Sequence, residues 1–213
     1  MKGNATISGL IEGETAMLMP VLEEMAVDYS ESEPENSPYS IRGFSEPGKV
    51  SCAVYDRATR EHRLWLSRVW DEQLPIVAYI GLNPSTADER HNDPTVGRLQ
   101  KRAKKLKYGG FIMLNAFSLR STDPRGLKSV AEPNLPENDE FIRHGCEVAD
   151  TVVCCWGTHA KLFDRHSELI ELLRRLGKPV HYLGETLEGF PKHPLYLPYR
   201  AGFVQWDLAQ VAV

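Results

Sequence analysis

The sequence predicts an α/β fold, in which a central, mainly parallel four-stranded sheet lies in a three-layer α/β/α arrangement and an N-terminal hairpin precedes it. Four short runs of apolar residues have the length of strands that are buried on both faces. Segments with the apolar spacing of amphipathic helices alternate with these runs, and such alternation is typical of parallel sheets with right-handed crossovers. The 213 residues suffice for one main domain.

The predicted strands and helices follow one another along the second part of the chain. The strands cover residues 75–80, 111–114, 151–156 and 179–183, and the helices cover residues 94–106, 138–147 and 167–176. Before them, alternating apolar residues in segments 50–54 and 64–66 predict the hairpin. Ligands of parallel sheets bind beyond the carboxyl ends of the strands, so functional residues are expected there.

The first 47 residues differ in composition from the rest of the chain. Residues 28–48 are rich in Ser, Glu, Pro, Gly and Asn, and such a segment buries too little apolar surface to order itself, which indicates a linker. Apolar residues at helical spacing predict a short amphipathic helix over residues 16–27. We therefore divide the chain into an acidic N-terminal extension and linker, residues 1–47, and a main domain, residues 48–213.

The apolar and cysteine patterns bear on compartment and metal binding. No apolar run approaches the ~20 residues of a membrane helix, and the N terminus lacks the pattern of a secretory signal, so we expect a soluble cytoplasmic protein without a membrane partner. The four cysteines include no CxxC pair, and Cys154-Cys155 lie in an apolar run. This spacing is poor for a metal site, so we expect buried reduced thiols and no metal.

The formal net charge is −4, but the charge is unevenly distributed. The N-terminal extension holds an excess of acids, whereas residues 98–107 contain no acid. The basic residues of this block are Arg98, Lys101, Arg102, Lys104, Lys105 and Lys107. They fall on the helix predicted over residues 94–106, where they form either a solvated face or a phosphate-binding surface.

Polar residues at the predicted strand ends are the candidates for a site. Gly81-Leu82-Asn83-Pro84-Ser85 follows the first strand of the sheet, Asn115 follows the second, and Trp156-Gly157-Thr158-His159 ends the third. Together with the later His193, these residues are expected to converge on one crevice.

Each candidate has a structural alternative. Asn83 can cap the following segment, and Asn115 can satisfy a turn. Trp156 can pack in the core, and His193 can be an ordinary loop histidine. Asp93 either caps the helix that opens at Pro94 or acts as a general base.

The order of these segments resembles the uracil-DNA glycosylase superfamily. Gly81-Leu82-Asn83-Pro84-Ser85 resembles its water-activating loop, and the segment Gly110–Ala116 resembles the strand that ends in its base-reading asparagine. The segments Val152–Ala160 and Lys192–Arg200 are similar to its Trp-Gly-Ser-His-Ala and His-Pro-Ser-Pro-Leu-Ser segments. Asn-Pro-Ser-Thr-Ala-Asp and Asp-Pro-Thr also resemble a narrower bacterial and phage family, known only as a domain of unknown function.

The resemblance implies that residues 48–213 form the catalytic domain of a monofunctional DNA glycosylase. Such an enzyme flips out a modified or damaged pyrimidine and hydrolyses its N-glycosidic bond without a cofactor. Asn83 is expected to orient a water beneath C1′, and neutral His193 to donate to the pyrimidine O2. Asn115 is expected to read the base edge, and Asp93 acts as the base if Asn83 only orients the water.

The substrate-binding set follows from the same comparison. Ser85 stands where uracil-specific members have Tyr, which excludes 5-substituted pyrimidines, so the smaller side chain admits thymine, hydroxymethyl bases or glycosylated cytosines. Phe117 is the candidate for the stacking Phe. The predicted substrate-binding residues are Gly81, Leu82, Pro84, Ser85, Asn115, Phe117, Trp156 and Gly157.

DNA is the expected partner of a monomeric protein that acts at the nucleoid in repair or phage defence. The predicted DNA-binding residues are Arg98, Lys101, Arg102, Lys104, Lys105 and Pro194, with Leu195 or Tyr196 as the wedge. Two other functions fit the same crevice: a nucleoside or nucleotide hydrolase, and a non-catalytic reader of modified bases, which Asn83 in place of Asp would permit.

Overall fold

The computed structural model describes residues 37–211, apart from the side chain of Tyr196, and these residues form one mixed sheet of eight strands. The strands are β1 (Tyr39–Glu46), β2 (Lys49–Asp56), β3 (Arg63–Val69), β4 (Ile76–Gly81), β5 (Gly110–Asn115), β6 (Thr151–Cys154), β7 (Val180–Tyr182) and β8 (Val204–Trp206). The helices are α1 (Pro94–Lys105), α2 (Asn138–Val148) and α3 (Arg165–Leu176). The helix predicted over residues 16–27 lies outside the described residues.

The strand order of the sheet is β1-β2-β3-β5-β4-β6-β7-β8. Strand β4 pairs in parallel with β5 and β6, and β6 pairs in parallel with β7. The other four pairings are antiparallel: β1 with β2, β2 with β3, β3 with β5, and β7 with β8. Most of the strand pairings are therefore antiparallel.

The predicted fold class, a central four-stranded parallel sheet in a three-layer α/β/α arrangement, is wrong. The sheet has twice the predicted number of strands, and the described residues contain only three α-helices. The predicted hairpin exists as β2 and β3, but β3 pairs with β5 and thereby joins the sheet. The antiparallel strands at the two edges make the sheet mixed.

The sequence patterns did not predict strands β1 and β8, because edge strands need little apolar character. The residues of β1 were assigned to the linker, so the linker interpretation is wrong for residues 39–46. The division after residue 47 falls in the turn between β1 and β2. Strand β8 has only three residues, and its Trp206 is the one that is buried.

The four predicted apolar runs do form β4 to β7, and the three predicted helices form α1 to α3. Successive residues of β4 pack into different clusters: Ala78 and Ile80 join one, whereas Val77 and Tyr79 join the other. A strand covered on both faces has no polar alternate positions, which explains its continuous apolar run. Helix α1 packs in the cluster of Val77, whereas α2 and α3 pack in the cluster of Ala78.

The four cysteines are free and buried, as the sequence predicted. Burial raises the pKa of Cys52, Cys146 and Cys155 to about 12, so these thiols stay protonated at neutral pH. Within residues 37–211, no helix has the length and apolar character that crossing a membrane requires.

Candidate functional site

A cleft of about 740 Å³ lies where β4, β5 and β6 end. Its size is typical of small-molecule sites. The predicted site residues on its wall are Gly81, Leu82, Asn83, Ser85, Asp93, Asn115, Trp156, Gly157, His193, Pro194 and Leu195. The predicted residues that do not line it are Pro84, Phe117, Arg98, Lys101, Arg102, Lys104 and Lys105. The side chain of Tyr196 lies outside the described part of the structure.

Strand pairing brings the strand ends together. In the parallel pairing of β4 and β5, Gly81 lies opposite Asn115, and the backbone N–H of Cys155 after β6 donates to the carbonyl of Ile80 at 2.8 Å. The N–H of Gly157 donates to the carbonyl of Pro191 at 2.8 Å, which draws the segment before His193 to the end of β6. The cleft therefore collects residues that are far apart in the sequence.

The side-chain amide of Asn83 is held in one orientation. Its Nδ2 donates to the carbonyl oxygens of Pro84 at 2.9 Å and Ser121 at 2.8 Å. Because both amide hydrogens are used, Oδ1 is the group that Asn83 offers to a ligand as an acceptor. The asparagine thus lines the cleft with a fixed carbonyl dipole.

Asn115 brings a buried acceptor to the cleft. The residue is 2% exposed, and its Oδ1 has no hydrogen-bond partner among the described residues. A Cβ on Gly81 would lie 3.1 Å from this oxygen and 2.5 Å from Met113 Cε, so glycine makes room for the amide. An unpaired buried acceptor costs about 1–3 kcal/mol, a cost that a hydrogen bond from a ligand would offset.

His193 is half-buried, and burial lowers its pKa below the ordinary value of 6.5, although the nearby Asp93 carboxylate partly opposes the shift. The ring is therefore neutral at pH 7. The N–H of Leu195 donates to Nδ1 at 3.4 Å, which assigns the ring proton to Nε2. Gly157 lies alongside, with its ideal Cβ position 3.7 Å from His193 Cβ.

Asp93 serves as the N-cap of α1. Its Oδ1 accepts a hydrogen bond from the N–H of Val96 at 2.8 Å, and Pro94 occupies the first turn. The capping alternative is therefore realised, and the aspartate is only 9% exposed on the cleft wall. One carboxylate oxygen remains beyond the cap, so a role as general base stays a prediction.

One of the two aromatic assignments to the substrate site needs correction. Phe117 is 1% exposed, does not line the cleft and packs edge-on against Phe163 with ring centroids 6.5 Å apart. The ring of Trp156 is buried as well, and its Nε1 donates to Nδ1 of His166 at 3.2 Å. Both rings belong to the core. Phe117 is therefore not a stacking platform for a base, whereas Trp156 remains a residue of the cleft wall.

Pro84 also acts away from the cleft. Its carbonyl oxygen accepts hydrogen bonds from the side chain of Asn83 at 2.9 Å and from the N–H of Ser121 at 2.8 Å. The proline is buried, and it holds the loop rather than contacting a ligand. Its predicted assignment to the substrate-binding residues is therefore corrected to a supporting position.

The basic block of α1 divides into structural arginines and exposed lysines. Arg102 is 2% exposed and donates to the carbonyls of Pro198 at 2.9 Å and Tyr199 at 3.3 Å. Arg98 donates to the carbonyl of Leu197 at 2.5 Å and stacks over the Tyr199 ring at 4.6 Å. The assignment to DNA contact is therefore wrong for Arg102. The same assignment is weakened for Arg98, because it lies four residues away and shares the inward face of the helix.

Lys101, Lys104 and Lys105 are exposed, as a phosphate-binding surface requires. They lie toward the C-terminal end of α1, whereas Pro94 at its other end lines the cleft. At 1.5 Å per residue, the lysines lie roughly 10–17 Å along the helix axis from Pro94. A ligand that touches both has to be an extended one.

Arg63 is the main cleft residue that the sequence analysis missed. It begins β3, is 1% exposed and lines the cleft. Because β3 runs antiparallel to β5, its first residue lies beside the carboxyl end of β5, and Arg63 N–H donates to the carbonyl of Ser118 at 2.9 Å. The only feature of the sequence that pointed to Arg63 was its position as a charged residue directly before the apolar run Leu64-Trp65-Leu66.

Comparison with known proteins identifies a family but no characterised relative. The sequence profile of a family described as protein of unknown function (DUF1643) matches residues 63–195. No curated protein matches the chain, and no solved structure does. The match begins at Arg63, ends at Leu195 and contains Asn83, Asn115 and His193. Because it covers more than half of the sequence, the chain belongs to this family of unknown function.

Proposed function

We propose that this protein is a monofunctional DNA glycosylase that hydrolyses the N-glycosidic bond of a modified pyrimidine. One observation carries the proposal: a single cleft holds the oriented amide of Asn83, the unpaired buried acceptor of Asn115 and a neutral His193. These are the groups that water positioning, base reading and leaving-group stabilisation require.

The attacking water binds to Asn83. An amide cannot deprotonate water as a carboxylate would, but the sugar becomes cationic as the bond breaks and needs little activation of its nucleophile. Anchoring of Nδ2 to two carbonyls holds Oδ1 still, so the water is positioned without further ordering. Asp93, close to His193, accepts the proton that the water loses.

The departing base acquires negative charge that needs a hydrogen-bond donor. In the neutral tautomer of His193, Nε2–H donates to the pyrimidine O2. Loss of such a donor typically lowers a rate by ~10²–10³-fold. The Asn115 amide offers its carbonyl to an N–H or amino group on the base edge, which offsets the burial of this oxygen.

Ser85 sets the room around C5 of the pyrimidine. Its side chain lines the cleft and is half-buried, and the loop around it is tied down because Arg120 Nε donates to the Ser85 carbonyl at 3.2 Å. A hydroxymethyl-sized side chain leaves space that a tyrosine would fill. The proposed substrates are therefore 5-substituted pyrimidines.

The test uses oligonucleotides that carry one 5-substituted pyrimidine, in single- and double-stranded form. After incubation with the full chain, alkali cleaves abasic sites, and mass spectrometry identifies the released base. We expect excision by the wild type, a strong loss with Asn83→Ala, and normal excision with Asn92→Ala. Asn92 is a matched control, because it lies in the same loop, is exposed and does not line the cleft.

The other functions are distinct outcomes of this experiment. Hydrolysis of free nucleosides or nucleotides without excision from DNA would assign the cleft to a small-molecule hydrolase. Salt-dependent DNA binding that favours a modified base but leaves no abasic site would assign it to a reader. Either result contradicts the glycosylase proposal.

A further inference from the structure

Arg63 is a buried cation on the cleft wall that the proposed mechanism does not use. Its side chain is 1% exposed, and Nη1 donates to the carbonyl of Ala87 at 2.8 Å. Its Nε has no hydrogen-bond partner among the described residues. A buried guanidinium with unused donors is costly, and a ligand acceptor would offset this cost.

The positive charge of Arg63 is balanced only by groups that form no ion pair with it. None of the ion pairs found within residues 37–211 includes Arg63. Burial lowers the pKa of Arg63 to about 10, while Tyr55 and Asp93 favour the charged form and Arg120 and Arg68 oppose it. The guanidinium is therefore charged at neutral pH, and it has no direct counter-ion in the part of the chain that the structure describes.

Arg63 differs from the two other arginines that hold the same loop. Arg68 donates to the carbonyl of Asp88, and Arg120 donates to the carbonyl of Ser85. All three arginines bind loop carbonyls, but only Arg63 among them lines the cleft. Anchoring the loop explains Arg68 and Arg120, whereas it leaves the cleft-facing position of Arg63 unexplained.

We propose that Arg63 binds an oxyanion of the ligand, so that the cleft selects a pyrimidine nucleoside derivative that carries a carboxylate or a phosphate. The pyrimidine part of this statement rests on the proposed function. A guanidinium pairs with either anion through two parallel N–H donors, and such charge-assisted bonds are the strong ones. The anion is either a carboxylate on the base or the 5′-phosphate.

Two matched pairs of free ligands distinguish these sources by isothermal titration calorimetry on the full chain. The first pair is 5-carboxy-2′-deoxyuridine and 5-hydroxymethyl-2′-deoxyuridine, and the second is thymidine 5′-monophosphate and thymidine. We expect the anionic member of one pair to bind at least about tenfold more tightly. A preference in the first pair assigns the anion to the base, and one in the second assigns it to the phosphate.

Variants then assign the preference to Arg63. Arg63→Gln should abolish it, and Arg63→Lys should retain part of it because the charge remains. Arg68→Gln is the matched control, because Arg68 is equally buried and holds the same loop without lining the cleft. Thermal unfolding of each variant shows whether it is folded.

Equal affinities within both pairs for the wild type would overturn the proposal, and this result needs no variant. A preference that persists in folded Arg63→Gln, or that disappears equally in Arg68→Gln, would overturn it too. Excision from DNA is a separate measurement. A wild type that excises bases without any anion preference refutes only the role of Arg63, whereas an anion preference without excision refutes only the glycosylase.

Discussion

The side-chain amide of Asn83 donates to the carbonyl oxygen of Ser121 at 2.8 Å, across 38 residues of sequence. Its second hydrogen reaches the Pro84 carbonyl at 2.9 Å. The position is built for an amide, because a carboxylate would set an anionic oxygen against two carbonyl oxygens. These two hydrogen bonds explain why the loop has an asparagine here and lead to the first prediction.

Asn83→Ala should lower excision on every substrate by about 10²-fold, because the water loses its positioning group. Asn83→Asp should not raise activity, and it should destabilise the fold by about 1–3 kcal/mol, because the two carbonyls lose their donors. Single-turnover excision and urea denaturation measure the two effects. A fully active Asn83→Ala, or an Asn83→Asp as stable as the wild type, would contradict this assignment.

Ser85→Tyr should change the substrate range rather than the chemistry. The larger ring would occupy the space beside C5, so bulky 5-substituted pyrimidines should be lost through direct clash, while small bases should still be processed. DNA affinity should survive, because phosphate contacts made elsewhere dominate it. Relative kcat/KM values on a series of 5-substituents provide the measurement, and an equal loss for small and bulky bases would refute the proposal that Ser85 sets the room around C5.

Replacing Lys101, Lys104 and Lys105 by Ala should lower the salt dependence of DNA binding. Each phosphate contact adds ~0.7–0.9 to the slope of log affinity against log salt, so the slope should fall by up to about 2–3. Arg102→Ala should instead cost about 2–4 kcal/mol of stability, because it removes a buried cation from several carbonyls. An unchanged slope in the lysine variant would place the DNA on another face.

Acidification should destabilise the protein through its buried histidines. Burial lowers the pKa of His166 and of His193 below 6.5, so near that pH the unfolded chain binds more protons than the native one. The stability from this difference is fully present above pH 6.5 and is lost as the pH falls through the folded pKa values. The free energy of unfolding should therefore fall as the pH drops below about 6.5.

His166→Gln tests the contribution of one site. Glutamine offers an acceptor to the indole Nε1 of Trp156, which now donates to His166 Nδ1 at 3.2 Å, and it does not titrate. Urea denaturation should show a weaker pH dependence for this variant than for the wild type. An identical dependence would mean that His166 titrates alike in the folded and unfolded states.

The cysteines should be unreactive in the native protein. With pKa values raised to about 12 by burial, Cys52, Cys146 and Cys155 hold a negligible thiolate fraction at neutral pH. A thiol-specific reagent should therefore label the native chain only slowly and label all four cysteines rapidly in urea. Rapid labelling of Cys155 in the native state would contradict this expectation. It would show that the reagent reaches the thiol through the cleft, which Cys155 lines.

Sequence patterns predicted the parts of the site that depend on a single buried strand end. The apolar runs of β4 and β5 identify the positions of Asn83 and Asn115, because a buried strand leaves its first polar residue at its end. His193 was expected at the same crevice although it follows no predicted strand, and it does line the cleft. The capping of α1 by Asp93 follows from the Asp-Pro pair itself.

Tertiary structure alone decided the breadth of the sheet and the burial of individual side chains. Arg63 reaches the cleft because β3 pairs antiparallel with β5, and Arg102 turns inward because segment 197–201 covers α1. Phe117 and Trp156 are core residues because of the rings packed against them. The physical reason is that local periodicity reports which face of an element is apolar, whereas the partner that covers it comes from distant residues of the chain.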